Sequence, residues 1–200
     1  MAGSGPPNTP RTRELMKHIM IDLETLGTVA DACILSIGAV RFSLENDKLD
    51  DAGFYASVSI DSNLEAKRRI QEDTLLWWLK QGEAAQGVFH ESKQTLRVAL
   101  TDLADWMGDS DCYVWSNGAD FDLPMLAHAF TTNGMEVPWK FWNSRCFRTY
   151  KNLPGSKNIK VAFAGVKHNA LFDAVHQAQT AQAIYAGVFA NRPHSMVKPT

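Results

Sequence analysis

Asp22 and Glu24 close a short, mostly apolar run, His18-Ile-Met-Ile-Asp-Leu-Glu24. The run reads as a strand, and residues two apart on a strand project from one face. Two carboxylates held side by side repel each other unless a cation lies between them. A second acidic pair, Asp120 and Asp122, stands in Asn117-Gly-Ala-Asp-Phe-Asp122, just after the apolar run Cys112–Trp115. A strand-to-helix junction at the carboxyl end of a strand is a favoured ligand position in α/β folds. Asp120 suits the N-cap of the following helix, which leaves Asp122 in its first turn and able to reach inward. If Asp120 is the ligand instead, the assignment shifts by two. The third group is His168-Asn-Ala-Leu-Phe-Asp173. Five helical positions turn the chain by about 500°, so two helical residues at this spacing do not share a face. They meet if His168 lies in a loop, Asn169 caps the helix and Asp173 sits one turn in. Taken singly, each group has a plainer reading as strand-end acids, caps or a hydrogen-bonded histidine.

The elements that must position these groups are legible. Strands are expected at His18–Glu24, Cys33–Phe42, Phe54–Ile60 and Cys112–Trp115, each rich in β-branched or aromatic residues or bounded by turn chemistry. A polar segment from Asp61 reads as helical, and Asp73 is a plausible cap for Thr74–Lys80. Ser92 can cap a helix whose stripe is Leu96, Leu100, Leu103 and Met107. Further helices are expected from about Asp120 to Thr132 and from Asn169 to about Phe189. The order predicts an α/β fold, a mixed central sheet flanked by helices.

The composition, 45% hydrophobic and 21% charged over 200 residues, excludes global disorder and supports one domain of ordinary size. Residues 1–16 are expected to be a flexible leader, 17–190 one domain and 191–200 a loose tail. No apolar run approaches the ~20 residues of a membrane span, and the N-terminus lacks a signal-peptide core. Cys33, Cys112 and Cys146 are far apart and form no CxxC, which argues against a disulfide framework or zinc site and fits a reducing cytoplasm. The net charge of −2 argues against binding nucleic acid by global charge. No Walker loop, nucleophile elbow or dinucleotide-binding glycine pattern is present.

Taken together in chain order, Asp22, Glu24, Asp122, His168 and Asp173 resemble the DEDDh branch of the 3′–5′ exonuclease superfamily. The segments that carry the resemblance are IDLETLG at 21–27, NGADFD at 117–122 and HNALFDA at 168–174, within roughly residues 17–190. NGADFD and the upstream Trp77-Trp78 pair look like phage- and prophage-type exonucleases and their exoribonuclease relatives. One departure is that Asn117 lies four residues before Phe121, where the family's second motif has three.

The resemblance implies a ribonuclease H-like fold and a metal-dependent exonuclease that releases nucleoside 5′-monophosphates from single-stranded DNA or RNA 3′ ends. An all-oxygen donor set suits two hard cations, Mg²⁺ or Mn²⁺. Asp22 would bridge both, Glu24 and Asp173 would hold one, Asp122 would serve the other, and His168 would be the general base. The backbone of Thr25, Leu26 and Gly27 is expected to reach the 3′-hydroxyl. Leu26 is either a wedge between the last two bases or an ordinary core leucine. One of Trp77 and Trp78, with Trp78 a candidate, would stack on a base. Arg145, Arg148 and Lys151 stand at helical spacing and either contact phosphates or form a solvated face; Asn117 is a further substrate candidate. A homodimer is left open, and no membrane contact is expected. Rival readings are a catalytically silent nucleic-acid-binding module of the same fold, a ribonuclease H-like endonuclease or strand-transfer enzyme, and a non-enzymatic scaffold whose acids are caps.

Overall fold

A computed structural model describes residues 16–190, apart from 51, 109, 110 and 119. The strands are β1 (His18–Thr25), β2 (Ile34–Phe42), β3 (Phe54–Ser57), β4 (Tyr113–Ser116) and β5 (Ser144–Cys146). They form one mixed sheet in the order β3-β2-β1-β4-β5, with β1 at its centre. β2 runs antiparallel to both β1 and β3. β4 is parallel to β1 and to β5. All nine residues of β2 are buried, as expected of a strand covered on both faces.

The helices are α1 (Ile60–Glu65), α2 (Glu72–Trp78), α3 (Glu83–Gln86), α4 (Leu96–Met107), α5 (Asp122–Thr132), α6 (Phe147–Lys151) and α7 (Ala170–Ile184). The alternation of β1 sorts them into two layers. Ile19, Ile21 and Leu23 face α4 and α5, where they meet Leu100, Leu103, Leu126 and Phe130. Met20 faces the other way, with Val40, Trp115, Phe147 and the Ala174, Ala178 and Ala181 stripe of α7. Asp22 and Glu24 share the parity of Met20, so the strand aims both toward α7. Arg41 is buried within β2, and its guanidinium donates to the carbonyls of Trp106 (3.0 Å) and Met107 (2.7 Å) at the end of α4.

Several expected boundaries move. β3 ends at Ser57, because Ser59 caps α1 by accepting from the Ser62 N–H and the chain turns into the helix at Ile60. Thr95, not Ser92, caps α4 through its side chain. Asp73 lies in the first turn of α2 and is not its cap. β5 is a fifth strand that the sequence pattern did not announce; its three residues carry no apolar run. Arg145 therefore lies on a strand, while Arg148 and Lys151 lie on α6, and the three do not share one helix face. The expected leader through 15 and tail from 191 lie outside the described residues. Met16, the last residue of the expected leader, is buried. None of the three cysteines is in a disulfide. No helix among the described residues is long and apolar enough to cross a membrane.

Gly38 decides how close α7 comes to the sheet. It pairs with Asp22 across β1 and β2. A Cβ at this position would stand 2.1 Å from the Ala170 carbonyl carbon and 2.3 Å from the Leu171 nitrogen. Both are backbone atoms and cannot rotate away. Gly38→Ala is expected to cost ~3 kcal/mol or more, the upper end of overpacking. It would also push Asp173 away from Asp22 and Glu24. A melting temperature and activity near wild type would contradict this account.

Candidate active site

Four carboxylates meet at the carboxyl ends of β1 and β4. Glu24 and Asp122 are buried, at 8% and 3% exposure; Asp22 and Asp173 are partly buried. Asp122 opens α5 and turns back to β1, where its Oδ1 accepts the Leu23 N–H at 3.2 Å. Asp120 is exposed in the preceding turn and does not cap the helix; the N-cap is Phe121, which makes no side-chain capping bond. The two-residue ambiguity between Asp120 and Asp122 is thus resolved toward Asp122 as the inward-facing acid. Asp22 Oδ1 accepts from Gln177 Nε2 at 2.7 Å, a contact from one turn further along α7 than Asp173. Gln177 carried no signal in the sequence beyond its i+4 spacing from Asp173.

His168 lies in the loop before α7 with φ of 62°, a left-handed conformation uncommon outside glycine. That turn lets its backbone N–H donate to Asp173 Oδ2 at 2.8 Å. Asn169 caps α7, its Oδ1 accepting the N–H groups of Leu171 and Phe172. Loop histidine, cap and first-turn acid are arranged as the spacing requires. Donor atoms of Glu24, His168 and Asp173 all lie within 4.8 Å of one another. The imidazole meets Trp77 edge to face, with centroids 5.0 Å apart.

The electrostatics follow from burial and crowding. Burial pushes Glu24 from its ordinary 4.5 up to about 8, with Asp173 and Asp122 adding repulsion. Burial raises Asp122 to about 7 against the pull of the Leu23 N–H, its own N–H, Ser116 and Arg148. Asp22 is raised well above its usual range by burial, then by Asp122 and Glu24. Asp173 is raised by burial, against the His168 N–H bond. Without cations the site therefore retains protons at neutral pH that an unfolded chain has released. Stability of the metal-free protein is expected to fall as pH rises from about 6.5 to 8, by ~1.4 kcal/mol per pH unit for each proton retained. His18, lowered to about 4 chiefly by burial, acts in the opposite sense only below about 6.5. Melting in chelator at pH 6.5 and 8 checks the slope, and Mn²⁺ should flatten it. A melting temperature in chelator that stays level or rises over this interval would refute the charge crowding.

A cavity of about 380 Å³ opens beside the carboxylates, lined by Glu24, Thr25, Gly27, Asp73, Trp77 and Phe121 among others. Thr25 and Gly27 thus face it. Leu26 does not: it is 1% exposed and packs with Cys33, Leu35, Trp78 and Val88, so it is a core leucine and no wedge. Its N–H and carbonyl are both engaged, with Cys33 and Gln71. The Thr25 carbonyl accepts Trp78 Nε1 at 2.9 Å, and the Thr25 hydroxyl donates to the Gly27 carbonyl. Trp78 is 1% exposed, which corrects its expected stacking role; Trp77, 41% exposed, offers the accessible ring. Asn117 accepts from Lys151 Nζ at 3.3 Å. Arg148 lies near Gly118, its guanidinium 3.4 Å from where a Cβ would stand. Arg145 is spent on the carbonyls of Trp142 and Ser144 and on the Tyr113 ring.

The fold recurs in known nucleases. Cell-death related nuclease 4 (CRN-4) overlays with a TM-score of 0.57 at 12% identity, covering 86% of this chain and 64% of that one. E. coli exonuclease I in complex with a dA16 oligonucleotide gives 0.60 at 14%, covering 86% and 41%. The RNase domain of the yeast Pop2 protein gives 0.56 at 13%, covering 86% and 78%. This chain spans less than two thirds of the first two, and at such identities the likeness is one of fold: a ribonuclease H-like mixed sheet flanked by helices. No protein of curated function matches the sequence. The family model of the 3′–5′ exoribonuclease Rv2179c-like domain matches residues 17–185. That match spans the whole sheet and all five residues gathered at the site, and the chain belongs to this 3′–5′ exoribonuclease-like domain family.

Proposed function

We propose that this domain is a metal-dependent 3′–5′ exonuclease that removes nucleoside 5′-monophosphates from single-stranded nucleic acid, with RNA favoured by the family to which it belongs. The observation that carries the reading is the approach of Glu24, His168 and Asp173 to within 4.8 Å of one another, with Asp22 and Asp122 close enough for their charges to repel, beside a nucleotide-sized cavity. Oxygen donors of this number, buried and mutually repelling, fit hard divalent cations, Mg²⁺ or Mn²⁺. Bound there, such ions would polarise the scissile phosphate and stabilise the charge that develops on it.

The remaining work falls to the chain itself. Asp22, central on β1 and oriented by Gln177, is placed to serve both halves of the cluster. Glu24 and Asp173 share one side of it with His168. His168, whose imidazole lies with the carboxylates of Glu24 and Asp173, accepts the proton of the attacking water. Trp77 and Phe121 offer rings to the terminal base, and Thr25 and Gly27 wall the space for its sugar. Arg148, beside the Asp122 turn, is placed to meet a phosphate.

Digestion of matched single-stranded RNA and DNA, labelled at the 5′ end, tests the reading in Mg²⁺ and Mn²⁺. A ladder shortening from the 3′ end is expected, with RNA cut faster. A 3′-phosphate should block it, because in this reading Thr25 and Gly27 wall a space for a sugar with a free 3′-hydroxyl. Mononucleotides released from the 5′ end, or cleavage of a circular strand, would overturn the assignment.

A further inference from the structure

The turn that carries Asp122 walls two cavities. On one side, Phe121 lines the cavity that holds Glu24 and Trp77. On the other, Leu123 and Pro124 line a groove of about 460 Å³ that Phe141 and Trp142 also line. Consecutive residues thus separate the acidic site from an aromatic groove. Phe141 and Trp142 are 82% and 60% exposed, set edge to face with centroids 4.8 Å apart. Contiguous exposed aromatic surface rimmed by polar groups is a mark of interaction sites.

The pair is held in place. Asn143 is buried beneath it and donates to Asp111 at 3.0 Å, and its N–H closes a tight turn on the Lys140 carbonyl. Arg145 Nη1 donates to the Trp142 carbonyl at 2.9 Å. Cations accompany the rings along this sheet edge. Lys140 Nζ lies 5.8 Å from the Trp142 ring centroid; Lys151, beyond the edge strand on α6, has its Nζ 5.2 Å from the centroid of the buried Phe147 ring and bonded to Asn117. Arg148 is exposed between the groove's edge strand and Gly118. Asp111 pairs with Lys140, Asp120 lies beside Gly118 with Arg148, and Arg148 also acts on the Asp122 carboxylate. Rings to stack on, next to cations that follow a backbone, are what an unpaired nucleic-acid strand requires. A purely apolar partner would have to bury these cations.

We propose that Phe141 and Trp142 form a stacking platform for bases upstream of the scissile bond. The strand would cross the Phe121–Pro124 turn from the catalytic cavity, with Arg148 and Lys151 beside its phosphates. β5 runs three residues from the platform to the level of the site, roughly 10 Å at ~3.3 Å per residue. A dinucleotide at the site falls short of the platform, and a longer strand reaches it. The platform therefore gives the enzyme a length preference expressed in KM and not in kcat. This rests on the exonuclease reading, and it supplies the groove with one occupant, the single-stranded substrate itself.

The test compares wild type with a Phe141→Ala/Trp142→Ala double variant. Binding of a 5′-fluorescein 12-nucleotide RNA is read by fluorescence anisotropy in chelator, and turnover of the 12-mer and of a dinucleotide is read in Mn²⁺. Both side chains are on the surface, so the variant should keep the wild-type melt. The 12-mer Kd and KM are expected to rise about tenfold, with kcat and dinucleotide turnover within about twofold of wild type. Equal losses on both lengths, or an unchanged 12-mer Kd, would overturn the platform. So would a wild-type dimer that the variant converts to monomer without loss of 12-mer affinity, which would make the patch a self-association surface. Binding is measured without turnover, so a wild type that grips the 12-mer but hydrolyses nothing would sink the exonuclease reading and leave the platform tested on its own terms.

Discussion

Asp22→Asn is expected to lower kcat by about 10³-fold or more while making the metal-free protein more stable at pH 8. The two effects have one origin. Asp22 is central on β1 and is raised by burial and by Asp122 and Glu24, so its negative charge is costly in the empty fold. Asparagine keeps the shape and an oxygen that can accept from Gln177 Nε2, and it removes only the charge. From the ordinary carboxylate range up to the raised pH at which Asp22 ionises in the fold, the unfolded wild type releases a proton that the fold retains and the variant has none to release, so the difference in melting temperature should grow with pH over that range and level off above it. The same charge is what a divalent cation requires. Its loss should weaken Mn²⁺ binding and remove stabilisation of the reacting phosphate worth several kcal/mol, at ~1.4 kcal/mol per decade of rate. Calorimetric Mn²⁺ titration, melting in chelator at pH 6.5 and 8, and single-turnover rates on one preparation read all three. A variant as active as wild type would remove Asp22 from the site, and one that is inactive because it is unfolded would show no cooperative melt. Asp173→Asn provides the parallel case on α7, where the His168 N–H still finds an oxygen to donate to.

The chemistry of this chain was more legible than its geometry. Asp22, Glu24, Asp122, His168 and Asp173 stood at spacings that a strand, a strand-to-helix junction and a capped helix bring together, because period and capping are local properties. What depended on tertiary contact was not legible. Trp77 and Trp78 differ by ~100° on a helix, and nothing local says which ring the Thr25 carbonyl will claim. Leu26 follows the first motif in a context that fits a wedge as well as a core residue, and only the packing of Trp78 and Val88 decides. β5 exists because Ser144–Cys146 finds the free edge of β4, not because its residues favour strands. Asp120 looked like a cap beside a helix whose N-cap makes no side-chain bond, and the acid that serves the turn is the buried Asp122. Gly38 and the exposed Phe141-Trp142 pair are silent in the sequence, since one matters through what approaches it and the other through what does not.

His168→Ala is expected to lower kcat by about 10²–10⁴-fold, or ~3–5 kcal/mol of barrier, while leaving KM and Mn²⁺ affinity nearly unchanged. The separation follows from how the residue is built in. Its backbone N–H, not its ring, bonds Asp173, so the substitution leaves that carboxylate oriented. The imidazole meets the rings of Trp77 and Trp78 edge to face and lies beside Glu24 and Asp173, which places it where the attacking water would lie. A histidine serving only structure would behave differently, lowering the melting temperature with near-normal kcat in the folded fraction. Added imidazole supplies a direct readout, because a small base entering the vacated space should restore part of the lost rate without changing metal affinity. The decisive comparison is kcat, binding and melting on the same preparation. A stable variant that keeps more than about a tenth of wild-type kcat would leave no general-base role for His168, and the proton would then have to pass to Glu24 or Asp173, the acids that share its side of the cluster.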